Sequence, residues 1–274
     1  MSTHVATDHK EEKKNPLLTG ETIHVYDVNK VSAGASKRWL EKGIADFKVS
    51  PMTSIAYGGI YVLVGLVLAF FTWNNPLYLV SMVTGFLLIG PIVAVGFYCM
   101  SRRIEEGGRP TFLQGFDAIK FNIISLVSFA LILGFLLIAW TRVASLVVAL
   151  FFGSTTISDD LIATIASNPQ TTPFLLTYAL VGLFFAGAAF MISLVSVPLI
   201  TNRKVDVITA IVTSMKAVVK NPSVAISWAF IIATLIFLGF IFGFVGLAIT
   251  LPIVGHASWH AYRELVSERD VELK

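Results

Sequence analysis

The chain has 274 residues, of which 55% are hydrophobic and only 14% charged, with a formal net charge of +3 and a mean hydropathy of +0.79. A soluble globular domain carries about 25% charged residues, so the composition excludes that class. A lone cysteine, Cys99, excludes an intramolecular disulfide.

Residues 1–36 are polar and mixed in charge. They lack the apolar core of a cleavable signal, so the first span is expected to act as an uncleaved anchor. His4, His9 and His24 repeat no metal-ligand spacing, and this stretch reads as a disordered cytoplasmic tail. A short segment, 37–48, follows with Leu40, Ile44 and Phe47 on one helical face.

Residues 53–100 contain no Asp, Glu, Lys or Arg, and neither do residues 223–262; each run is at least 40 residues long. A helix of ~40 residues is about 60 Å long, twice the ~30 Å hydrocarbon core. Each run therefore reads as a hairpin of two spans, near 53–73 and 77–100, and near 223–240 and 244–262. Asn74-Asn75-Pro76 breaks the first, and Gly239 and Gly243 bracket the turn of the last. The apolar region 121–200 is interrupted by Arg142, Asp159 and Asp160 and reads as spans near 121–140 and 174–200. Residues 143–152 are placed as an extension of the third span or along the outer interface. Ser158 is expected to cap a short helix with Asp159 and Asp160 in its first turn, a role preferred here to cation binding. Because the runs are continuous rather than alternating, backbone hydrogen bonding in lipid calls for helices.

Of the 20 Lys and Arg residues, 19 fall on one side of this six-span arrangement and only Arg142 on the other. The positive-inside rule places the 19, and both termini, in the cytoplasm. Two further basic segments resemble 37–48. One is 112–120, with Phe112, Phe116 and Ile119 on one face; the other is 206–220, with Ile208, Ile211, Val212, Met215 and Val219. Gly43 aligns with Gly115 and Lys48 with Lys120, while Pro91-Ile-Val and Pro252-Ile-Val each lie eleven residues before an arginine. These matches predict three units, about 37–103, 111–204 and 206–263. Each is a cytoplasmic amphipathic helix followed by a hairpin, within one membrane domain at 37–267, and 268–274 forms a second cytoplasmic tail. The expected fold is an all-α polytopic membrane bundle.

Four stretches carry a resemblance. They are Trp39-Leu40-x-x-Gly43-x-x-Asp46-Phe47; Gly90-Pro91 through Ser101-Arg102-Arg103; Val205-Asp206 with Asn221-Pro222; and Gly255-His256-Ala257-Ser258-Trp259-His260-x-Tyr262-Arg263. Over residues 36–267 the chain resembles a family of bacterial integral membrane proteins catalogued as a domain of unknown function. The resemblance implies an inner-membrane location and brings no established activity. Some members carry the label of a cytochrome c oxidase subunit I. The haem and copper sites of such an oxidase are built from membrane histidines, and only His256 and His260 qualify here.

Those two histidines, one turn apart near the end of the last span, are the sharpest candidates for chemistry. They could bind a metal or haem, with Cys99 as a soft completion, because the Pro-Ile-Val register aligns Cys99 with His260. The preferred reading is structural, since the spans offer no Asp or Glu as a further ligand. Arg142 is a candidate for lipid-phosphate or anion contact, with snorkelling to the outer headgroups preferred. Gly182 with Ala186, and Gly239 with Gly243, read as close-packing sites. No P-loop, dinucleotide fingerprint or zinc-protease motif occurs, and no span serine has a visible base. The expectation is a non-enzymatic membrane protein with a structural, assembly or lipid-interacting role and no cofactor. The alternatives are a transporter or channel, and a metal- or haem-binding protein. The expected partner is the lipid bilayer rather than nucleic acid; protein partners and self-association are left open.

Overall fold

The computed structural model describes residues 26–72, 90–116, 120–153, 169–242 and 244–267. Among them the architecture is all-helical: α1 (Ala35–Val49), α2 (Pro51–Thr72), α3 (Gly90–Val93), α4 (Val95–Glu105), a 3-10 turn at Leu113–Phe116, α5 (Ile123–Phe152), α6 (Thr171–Ser193), α7 (Ser196–Asn202), α8 (Val207–Lys220), α9 (Pro222–Ile241) and α10 (Leu247–Leu265). Four stretches are long and apolar enough to cross a membrane: Pro51–Phe71, Ile123–Phe152, Thr171–Asn202 and Pro222–Ile241. No more than 28% of the most apolar part of any of them is buried inside the protein. Phe70, Phe135 and Phe230 stand outward. So much outward apolar surface is tolerable only against lipid.

The well-packed core lies at one end of these helices. There α10 runs along α1 and also meets α2, α4, α7 and α9. Trp39 and Trp228 meet edge to face with centroids 5.7 Å apart, and the Trp259 and Tyr262 rings meet at a tilt of 54° with centroids 5.4 Å apart. Gly43 permits the approach of α1 to α10, since a Cβ added there would lie 2.6 Å from the backbone nitrogen and the Cβ of Ala257. Proline opens α2 and α9, where its missing N–H costs nothing. The residues that turn the chain into α2, α5 and α9 share one backbone conformation. Ser50 has φ −140 and ψ 60, Asn122 has φ −147 and ψ 60, and Asn221 has φ −131 and ψ 54.

Several expectations change. The tail assigned to 1–36 gives way at Tyr26: Val28 forms an antiparallel bridge with Val266, and the Val31 N–H donates to Asn221 Oδ1 at 2.9 Å. The main-chain groups of this segment find partners at the far end of the chain, which a tail would not. On α1 the buried stripe is Trp39, Gly43 and Asp46, with Leu40, Ile44 and Phe47 only half-buried beside it. Within the second expected surface helix, 112–120, residues 113–116 form a 3-10 turn, and residues 117–119 lie outside the described residues. Of the two places expected for residues 143–152, the structure shows the first: the third span continues past Trp140 to Phe152 as one helix. Span four breaks at Leu194 and Val195, where Ser214 of α8 satisfies the freed backbone by donating to Met191 O at 2.8 Å and accepting the Val195 N–H at 3.3 Å. Gly182 packs against the Trp140 ring, as a close-packing site should. The Asn74-Asn75-Pro76 turn, the Ser158 helix with Asp159 and Asp160, and the tail at 268–274 lie outside the described residues.

Candidate functional site

His256 and His260 sit one turn apart on α10 and face the core end of the bundle. His256 is completely buried, as are Ser54 in the first turn of α2 and Ser101 on α4. Ser54 Oγ lies 3.0 Å from His256 Nε2, and Ser101 Oγ lies 2.8 Å from His256 Nδ1. The Ser101 hydroxyl donates to Asp46 Oδ2 at 2.7 Å, and His260 Nε2 meets the same oxygen at 2.8 Å. Ser101 has one proton to give. Having given it to Asp46, its oxygen receives the Nδ1–H of His256. In the neutral ring, Nε2 is then left to accept the hydroxyl of Ser54. The bonds therefore run in one direction, from Ser54 through His256 and Ser101 to Asp46, with His260 closing on Asp46 from the other side. Four helices meet in this cluster.

Two carboxylates frame it. Glu105, at the end of α4, accepts the Trp259 Nε1–H at 3.2 Å and pairs with Arg263 at 3.3 Å. Glu264 on α10 accepts the Trp39 Nε1–H at 2.8 Å and pairs with Arg38. The ring of Phe97 meets His256 edge-on at 5.6 Å, and the Tyr262 hydroxyl accepts from Asn202 Nδ2 at 2.9 Å.

The structure thus brings His256 and His260 to one cluster. The Cys99 thiol is directed to the Gln114 carbonyl oxygen at 3.1 Å, and the group beside the histidines is Asp46. Among the described residues no group of three or more His, Cys, Asp or Glu side chains is placed to hold a metal ion. Arg142 is exposed on α5, far from the cluster in sequence and on an element that does not contribute to it. Asp46 lies on α1, before the first charge-free run, so the absence of carboxylates within the spans gives no sign of it. The signal was present in the spacing: Trp39, Gly43 and Asp46 fall at i, i+4 and i+7, one helical face, and a single carboxylate on a face of Trp and Gly points inward.

Residues 79–202 match the family described as predicted integral membrane protein (DUF2189). The DUF2189 match covers less than half of the 274 residues. It takes in α3 to α7, and with them Ser101, Cys99 and Arg142. Asp46, Ser54, His256 and His260 lie outside it, so three of the four elements of the cluster are not part of the DUF2189 segment. The family is an integral membrane one without an assigned activity, which is the kind of family the sequence motifs resembled. No curated protein and no solved structure matches the chain.

Proposed function

We propose that this chain is a non-enzymatic protein of the bacterial inner membrane. It has six spans, cytoplasmic termini and a structural, assembly or lipid-interacting role. The observation that carries the reading is that the His256 cluster is closed on itself. Ser54, Ser101, His256, Asp46 and His260 meet one another, and the two hydroxyls and the inner imidazole are fully buried. A nucleophilic centre must present its oxygen to a space where a substrate can sit. Here the hydrogen-bonding capacity goes to tying α1, α2, α4 and α10 together.

The 19-to-1 charge split supports the orientation. At 19 residues α10 is about 29 Å long, enough for a span whose polar residues gather at one end. The shared corner conformation of Ser50, Asn122 and Asn221 supports the threefold repeat. Counted from Ile123, Arg142 stands about 29 Å along α5, at the far hydrocarbon boundary, where its guanidinium can reach headgroups.

A second reading, a transporter, gains one specific observation. Asp46 supplies the buried carboxylate that the spans themselves lack, and a carboxylate–imidazole pair is proton-handling equipment in membranes.

Three measurements separate these readings. Reporter fusions at Arg109, Lys204 and the C-terminus are expected to read cytoplasm, and one at Asp159 periplasm; a periplasmic C-terminus would sink the six-span topology. Protein purified without a histidine tag is expected to carry neither stoichiometric metal nor a Soret band. Either signal, lost in the His256→Ala/His260→Ala variant, would assign a cofactor instead. Proteoliposomes are expected to be proton-tight, and a proton flux abolished by Asp46→Asn would assign transport.

A further inference from the structure

The helix α8 is amphipathic in an unusual sense. Its protein-facing side is small and polar: Thr209, Ala210, Thr213, Ser214 and Ala217 are buried against the break between α6 and α7. There Ser196 Oγ donates to Ala210 O at 3.0 Å and Ser214 Oγ to Met191 O at 2.8 Å. The apolar stripe points the opposite way. Ile208 is 52% exposed, Met215 40% and Val219 71%, with Ile211 and Val212 at its margin. On the helical wheel Lys216 and Lys220 flank this stripe on one side. Between residues 200 and 222 the charges are Arg203, Lys204, Lys216 and Lys220 against a single acid, Asp206, whose carboxylate caps α8. The contrast with α1 is direct. That helix also docks on the core end, but Lys37, Arg38, Glu41, Lys42 and Lys48 form its outward face, which suits water. An apolar stripe turned away from its own protein, with a cationic margin, suits the boundary between acyl chains and phosphates.

We propose that the outward face of α8 is a docking surface for anionic phospholipid, with Ile208, Met215 and Val219 in the acyl layer and Lys216 against the headgroup phosphates. The side of the membrane rests on the reading above; the contact itself rests on the exposed stripe and its charge margin. Lys220 is a poorer probe, because its ammonium also donates to Val28 O.

The test uses the full chain in nanodiscs of phosphatidylcholine with phosphatidylglycerol. A spin label at Val219, introduced as Val219→Cys in a Cys99→Ser background, is expected to be open to oxygen and shielded from a nickel chelate. By native mass spectrometry, the lipid retained on the protein is expected to be enriched in phosphatidylglycerol over the disc. Lys216→Gln is expected to reduce that enrichment about fivefold, the equivalent of roughly 1 kcal/mol for one cation near an anionic surface. Lys42→Gln on the water-facing side of α1 is expected to leave it unchanged. A nickel-accessible label at Val219, retained lipid of bulk composition, or equal losses from Lys216→Gln and Lys42→Gln would each overturn the proposal. A reporter fusion at Lys204 keeps the two readings apart. A periplasmic signal there would overturn the orientation. A cytoplasmic signal with no enrichment would overturn the lipid site alone.

Discussion

Asp46 is the hub of the polar cluster because one of its oxygens meets both the Ser101 hydroxyl and the His260 imidazole. Removing it strands two donors in a dry setting, whereas removing Ser54 loses one neutral bond at the end of the chain of hydrogen bonds. Asp46→Ala is therefore expected to cost about 3 kcal/mol or more, and Ser54→Ala about 1 kcal/mol. Thermal unfolding in one detergent ranks the two, and equal losses would show that Asp46 is no hub. A second residue speaks through pH. Burial pushes the Asp206 carboxyl upward, but hydrogen bonds from the Thr209 side chain and main chain, from Ile208 and from its own N–H outweigh this and hold it below the usual carboxylate value. A carboxylate lowered in this way stabilises the fold fully above its unfolded value of about 3.9 and loses that contribution as pH falls through the folded one. Asp206→Ala is expected to cost about 1 kcal/mol near neutrality as a lost N-cap. The gap in melting temperature from the parent protein is expected to narrow as pH falls below about 4. A gap independent of pH would remove the charge from the explanation.

Among the elements, the packing of α1 on α10 is the most exposed to a single methyl group. A Cβ at Gly43 would meet main-chain atoms of Ala257, which cannot swing aside as a long side chain can. Gly43→Ala is expected to cost about 1–3 kcal/mol through overpacking. At Gly59 on α2, by contrast, an added Cβ meets nothing within 4 Å, so Gly59→Ala is expected to be neutral or slightly stabilising through helix propensity. Comparable losses at both sites in thermal unfolding would mean that helix packing is not what Gly43 serves. The amphipathic segments were only half legible in the sequence. Periodicity located α1 and α8 to within two residues. It did not say which stripe would face protein, because Leu40, Ile44 and Phe47 compete on α1 with Trp39, Gly43 and Asp46, and tertiary packing chose the latter. On α8 the buried side is the one with Ala, Ser and Thr, which hydropathy alone ranks as the outside. Residues 113–116 wind as a 3-10 turn, although the pattern around Phe112 and Phe116 resembles that of its two counterparts.

At the level of the whole molecule, the membrane class was legible because lipid leaves its mark on composition. Charge-free runs of forty residues follow from solvation, and four stretches of suitable length and apolarity bear out the class. The joining of the chain's two described ends was not legible. Val28 pairs with Val266, the Asn29 N–H donates to Leu265 O at 2.8 Å, and the Ser267 N–H donates to Asp27 O at 2.9 Å. No local pattern announces this contact, since it depends on where α10 ends. Its consequence is one of parity. Two residues clasped by main-chain hydrogen bonds lie on the same side of a bilayer, so the chain between them crosses an even number of times. Four crossings satisfy that condition and six satisfy it, whereas five cannot. Any rearrangement that gained or lost a single crossing would have to unclasp its ends.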